Sequence, residues 1–153
     1  MTYTKQDCIN DTQEHINQVR KFMNEITTEL YQRAIEHDKS KMEEPELSIF
    51  VEYTPKLAST TYGSDEYKEH LKGMQKGLKH HYEHNSHHPE HWDEGVNDMS
   101  LLDIVEMLAD WKAATERHND GDMLKSLEIN KQRFGISDQL YKILYNTIKE
   151  LGW

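Results

Sequence analysis

The sequence contains a single cysteine, Cys8, and only three prolines in 153 residues. One cysteine excludes an intrachain disulfide and a zinc site built from thiolates. No stretch approaches the roughly 18 consecutive apolar residues of a transmembrane helix, and the start of the chain lacks the apolar core of a signal peptide. We therefore expect a cytoplasmic protein, in a bacterial cell or a phage-infected host, with no membrane partner.

Basic residues are also scarce, since 18 Lys and Arg stand against 28 Asp and Glu for a formal net charge of −10. A surface of this charge repels nucleic-acid phosphates, so we expect no extended nucleic-acid interface. A small molecule is the favoured partner, and the sequence leaves a homodimer open. The length fits one domain, 1–153, with enough chain to bury a core.

Apolar residues recur at helical spacing and no run alternates as in a β-strand, so the sequence predicts an all-α fold of six to seven helices. Thr4 is a candidate cap of the first helix, and Thr27-Thr28 indicates a bend or a new helix start before Glu29. A short helix is expected between Pro45 and Pro55. The turn-like stretch 58–64 is a candidate lid, although an ordinary surface loop is the favoured explanation.

Later helix boundaries carry clearer signals. Ser64, Ser100 and Ser137 are predicted N-caps, with Asp103 completing a capping box after Ser100, and Asp122 begins another helix. The helix after Ser100 is expected to reach His118, followed by a turn at 119–121. Within the helix after Ser64, Gly73 and Gly77 lie four residues apart, which predicts close packing of another helix, because glycine destabilises a helix interior without such a reason.

Six of the ten histidines lie in the stretch 80–92. A solvated histidine-rich loop is the simplest explanation, but neutral imidazole is the commonest protein ligand for transition metals, and this tract is internal and interleaved with other residues. Helical spacing places His81, not His80, on the apolar face that also carries Leu71, Met74 and Leu78. His87, His88 and His91 follow in a loop, where spacing does not choose between them.

Three carboxylates interrupt the otherwise apolar helix after Ser100. Buried carboxylates are costly unless a cation or hydrogen-bond donors compensate them. The cap role is sufficient for Asp103, but Asp110 lies mid-helix and needs a charged partner.

The inward candidates, in chain order, are His15, His37-Asp38, His81, the loop histidines and Asp110. This order, with a His-Asp-x-x-Lys string ending at Lys41 and with Leu108-Ala109-Asp110, resembles the HD-domain superfamily of metal-dependent phosphohydrolases. The chain also resembles a phage and bacterial family catalogued as a domain of unknown function, through strings such as Tyr-Thr-Pro-Lys-Leu, His-His-Pro-Glu-His and Asp-Trp-Lys-Ala-Ala.

The HD resemblance implies a single HD-like metal-binding domain over 1–153. It assigns one ion to His15, His37, Asp38 and Asp110, and Asp38 would bridge to a second ion held with His81 and His88. Histidine and carboxylate ligands suit Mn, Fe, Co, Ni or Zn, as one or two ions.

The expected activity is hydrolysis of a phosphate ester or anhydride, of a nucleotide or a similar small phosphorylated molecule. Lys41 is the candidate phosphate-binding cation, and Glu106 the candidate base or partner of a histidine N–H. A surface lysine and a structural acid fit these two positions equally well. A diiron oxidoreductase and a non-catalytic nucleotide-binding phage protein are the alternative functions.

Overall fold

The computed structural model describes residues 2–60, 64–117 and 121–153, and all regular structure within them is helical. Three short 3₁₀ turns, at Lys39–Met42, Pro89–His91 and Gly95–Asp98, join the helices. The α-helices are α1 (Lys5–Glu36), α2 (Glu46–Ser59), α3 (Asp65–His84), α4 (Leu101–Thr115), α5 (Met123–Phe134) and α6 (Asp138–Leu151). The predicted all-α class is confirmed, and no described helix is long and apolar enough to cross a membrane.

The chain divides into two compact units, Met1–Glu36 and His37–Trp153. The first consists of α1, which begins with a reciprocal cap: Asp7 N–H donates to Thr4 Oγ1, and Thr4 N–H donates to Asp7 Oδ2. The predicted break before Glu29 is wrong. Thr27 and Thr28 donate their hydroxyls to the carbonyls of residues 23 and 24, so they bond within the helix instead of capping a new one.

In the second unit α2 packs against α3, as the glycine pair predicts. A Cβ on Gly77 would lie 2.9 Å from Ile49 Cγ2, and one on Gly73 would overlap the Tyr53 ring. The expected end of α2 at Pro55 is wrong, since the helix continues to Ser59. One missing backbone hydrogen bond does not end a helix that tertiary packing of Ile49 and Tyr53 holds in place.

The core of the second unit lies between α4, α5 and α6. Its buried residues include Met107, Leu108, Trp111, Leu127, Leu144 and Ile148. The capping box of Ser100 and Asp103 is confirmed, as are the caps at Asp122 and Ser137. Asp103 also accepts a hydrogen bond of 2.6 Å from Ser86, which fastens the histidine-bearing loop to the start of α4.

Two expectations lie partly outside the described residues. Residues 61–63 of the candidate lid and residues 118–120, at the expected end of the fourth helix and its turn, are among those that the structure leaves out.

Candidate metal centre

Asp38 is the residue around which the histidines of the second unit gather. It precedes the 3₁₀ turn Lys39–Met42 with φ 57° and ψ 14°, in the left-handed region, and is the one non-glycine residue with positive φ in the described chain. Aspartate tolerates this region better than most residues, and such conformations concentrate at functional sites. The turn exposes both carboxylate oxygens to different partners.

The Oδ1 atom of Asp38 faces three imidazoles. It lies 3.4 Å from His81 Nε2 and 3.6 Å from His87 Nε2. His88 Nε2 lies 2.9 Å from His81 Nε2. These four atoms, all within 4.8 Å of one another, define what we call the inner position.

Two atoms of the inner position, Asp38 Oδ1 and His87 Nε2, are buried and have no hydrogen-bond partner among the described residues. Buried polar atoms are nearly always satisfied, because each unsatisfied one costs about 1–3 kcal/mol. A cation placed at the point that this carboxylate oxygen and this imidazole nitrogen face would satisfy both atoms. The inner position therefore fits a metal ion on the chemistry of its own atoms.

A second group lies on the other side of Asp38. His37 Nε2 is 3.6 Å from Asp38 Oδ2 and 3.7 Å from Asp110 Oδ1. These three atoms define the outer position. Its side chains are 20–27% exposed, whereas those of His81 and His87 are 2% exposed. The outer position is thus richer in oxygen and closer to solvent.

Two glutamates, the buried Glu46 and the partly buried Glu106, contact the histidine rings on the side away from the two positions. Glu106 Oε1 lies 2.9 Å from His37 Nδ1 and 3.1 Å from His87 Nδ1. Glu46 Oε2 lies 2.9 Å from His81 Nδ1, and its Oε1 lies 2.7 Å from His80 Nδ1. A histidine that donates Nδ1–H to a carboxylate keeps the Nε2 lone pair free, so the glutamates select the tautomer that a metal requires.

The protonation states of His81 and His88 agree with a ligand role. Burial lowers the pKa of His81, and burial together with the neighbouring His87 lowers the pKa of His88 to about 3. Both rings are therefore neutral at pH 7, as an imidazole ligand must be.

The carboxylates are ionised for a different reason. Burial by itself would raise the pKa of Asp38 and of Asp110, but hydrogen bonding to Lys41 and to His37, respectively, leaves both values below the ordinary range. The carboxylates of Asp110 and Glu106 in turn raise the pKa of His37 to about 10. The His37 ring is therefore doubly protonated and positively charged at pH 7.

The structure brings together most of the residues that the sequence singles out. His37, Asp38, His81, His88 and Asp110 lie in the two groups, and Lys41 and Glu106 contact them. The predicted inward orientation of His81 is confirmed, since 1% of it is exposed. His15 lies on α1 in the first unit and in neither group, and its metal role stays a prediction.

Sequence reasoning missed Glu46 and did not choose His87. Glu46 follows Pro45 at a helix start, where an acidic residue is explained by the helix dipole alone, so no sequence signal marks it. His87 is buried, whereas His91 donates Nδ1–H to the carbonyl of Tyr82 at 2.7 Å and belongs to neither group. In the sequence, the only signal for His87 was its position next to His88.

A family model described as a family of unknown function (DUF5662) matches residues 4–150. The chain belongs to DUF5662. The DUF5662 match includes every residue of the inner and outer positions and both supporting glutamates. Comparison with the curated proteins and with the solved structures gave no match.

Proposed function

We propose that this DUF5662 protein is a metal-dependent hydrolase of phosphate esters or anhydrides, with a centre arranged as in the HD-domain superfamily. The observation that carries the proposal is the pair of buried atoms, Asp38 Oδ1 and His87 Nε2, that have no hydrogen-bond partner in the described part of the chain and face one point together with two further imidazoles. Burial of such atoms is costly, and a shared cation would offset that cost.

The choice of metal follows from the donor set. Three imidazoles and one carboxylate suit Mn, Fe, Co, Ni or Zn better than Mg, which prefers oxygen ligands and retains its water. A bound ion of this kind would polarise a phosphoryl oxygen and would lower the pKa of a water molecule towards neutrality.

Three further side chains, those of Lys41, Glu106 and Asp110, have separate roles in the proposed reaction. Lys41, whose side chain is 37% exposed, extends its ammonium to Asp38 Oδ2 and lies where it can bind a substrate phosphate. Glu106 contacts two histidine rings, which favours a positioning role over that of a general base. Asp110 is ionised and partly exposed, so it can hold metal or accept a proton.

The test uses the full chain purified without a histidine tag. The protein is loaded with Mn, Co or Zn and assayed for phosphate release from bis-p-nitrophenyl phosphate and from nucleoside mono- and triphosphates. We expect metal-dependent turnover that falls at least about a hundredfold in Asp110→Asn and is unchanged in His70→Gln, which lies on α3 away from both positions.

Other results would contradict hydrolysis in distinct ways. Iron with visible absorption and O₂ consumption would favour the oxidoreductase, and retention of a nucleotide without turnover would favour a binding protein. Absence of any bound metal would overturn the centre itself.

A further inference from the structure

Building on the proposed metal centre, we propose that Lys41 takes the place of a second metal ion. The centre then holds one ion at the inner position, and the Lys41 ammonium supplies the second positive charge beside it.

This inference rests on the two carboxylate oxygens of Asp38, because their hydrogen bonding differs. Oδ2, which faces the outer position, accepts a hydrogen bond of 2.7 Å from Lys41 Nζ. Oδ1, which faces the inner position, is buried without a hydrogen-bond partner among the described residues. The chain thus neutralises one oxygen with its own cation and leaves the other for a cation from outside.

The local fold holds Lys41 at this place. Lys41 N–H donates to the carbonyl of Asp38 at 2.9 Å within the 3₁₀ turn. This backbone hydrogen bond fixes the Cα atom of Lys41 near the Asp38 carboxylate. Its ammonium also lies 5.9 Å from the centroid of the Phe50 ring, within the range of a cation–π contact. Backbone, carboxylate and aromatic ring therefore all keep the charge beside the outer position.

A divalent ion at the outer position would share Asp38 Oδ2 with this ammonium. Two positive charges a few ångströms apart repel each other, so an ion binds there more weakly while Lys41 stays on the carboxylate. The outer position also offers one imidazole and two carboxylates, against three imidazoles and one carboxylate at the inner position. The inner position consequently fills first and the outer position is disfavoured.

The experiment counts the ions. Metal-stripped wild type, Lys41→Gln and Lys72→Gln are titrated with Co²⁺, followed by visible absorption and by elemental analysis after dialysis. Lys72 pairs with Glu69 on the exposed side of α3, so its variant is a control with the same change of charge.

We expect one retained Co²⁺ in the wild type and in Lys72→Gln. Lys41→Gln should take up a second ion at least about tenfold more tightly than the wild type does, since a like charge is removed from the position. Lys41→Arg, which keeps the charge, should hold one ion and shows whether the turn tolerates substitution.

The outcomes separate this inference from the proposed function. If the wild type retains one ion but Lys41→Gln gains none, or if the wild type binds two ions equally well, the role of Lys41 is wrong and the centre stands. If the wild type retains no ion, the proposed metal centre fails and the role of Lys41 fails with it.

Discussion

His87 and His88 direct their Nε2 atoms to one position although they are neighbours in the chain. In a strand or helix, adjacent side chains diverge, so this convergence requires the irregular backbone between α3 and the turn Pro89–His91. Glu106 on α4 holds the His87 ring from behind, and the His88 ring packs on the edge of His81 at 4.7 Å between centroids. His87 is therefore positioned by a contact with α4, and His88 by a contact with α3.

His87→Gln should remove the tightly bound ion, because the variant lacks one of three imidazole ligands and keeps a similar volume. Elemental analysis after dialysis measures the loss. The matched control is His91→Gln in the same loop, since His91 is bonded to the Tyr82 carbonyl and should not affect metal content. Equal metal content in the two variants would remove His87 from the centre.

His88 makes the stability of the metal-free protein depend on pH. Its pKa is about 3 in the folded protein against 6.5 ordinarily, so the unfolded chain binds more protons between these values and stability falls as the pH drops below 6.5. Between pH 7 and 5 the contribution is at most about 2 kcal/mol, reduced by the partial exposure of the ring. Urea unfolding of the wild type should show a larger fall than His88→Gln, and identical falls would contradict the burial of a neutral ring.

Residue-level prediction succeeded where a periodic element carries the residue. His81 continues a helical stripe, so its orientation follows from counting. His87 lies in a loop, which has no periodicity. Its burial depends on the hydrogen bond from Ser86 to Asp103, 17 residues further along the chain, and on the contact of His87 with Glu106, 19 residues further along. Such contacts are settled by the tertiary fold and leave no trace in the local sequence.

Among the elements, the α2–α3 pair positions Glu46 and His81 against each other. Glu46 is the first residue of α2 and His81 lies near the end of α3, so the spacing of the two helices sets their 2.9 Å contact. The glycines of α3 determine that spacing, because they allow Ile49 and Tyr53 to approach the backbone.

Gly77→Ala should separate the two helices, since its Cβ would lie 2.9 Å from Ile49 Cγ2. Overpacking of this kind destabilises by about 1–3 kcal/mol, measured as the free energy of unfolding in urea. Lys76→Ala, on the exposed side of the same turn, should change stability by less than about 0.5 kcal/mol. If Gly77→Ala were as stable as Lys76→Ala, the helices would not be in close contact.

Element boundaries were predictable where one side chain decides them. The caps at Ser100, Asp122 and Ser137 are local hydrogen bonds and were found correctly. Thr27-Thr28 is a weak helix-breaking signal and Pro55 a strong one, but the effect of either depends on the surrounding helix, and α1 and α2 continue through them.

On the scale of the whole molecule, metal binding should contribute to folding stability. A metal that binds only the folded state stabilises it by about 2.7 kcal/mol at a hundredfold excess over Kd. Asp38→Ala should lose both the bound metal and the gain in Tm that Mn or Zn gives the parent, because Asp38 belongs to both positions.

His70→Ala is the control for that experiment, and it should keep both the metal and the gain. The metal-dependent increment in Tm is the quantity to compare, because alanine at the left-handed backbone of Asp38 is itself strained. An equal increment in the two variants would place the ion away from Asp38.

The enclosure of the inner position also governs how fast an ion exchanges. His81 and His87 expose 2% of their side chains, so an ion bound between them would leave mainly when the segment around residues 85–91 opens locally. Loss to a chelator then proceeds at the frequency of that opening, whatever the strength of the chelator. The metal found in a preparation would accordingly reflect the supply present in the cell when the chain folded, unless the protein is deliberately stripped and reloaded.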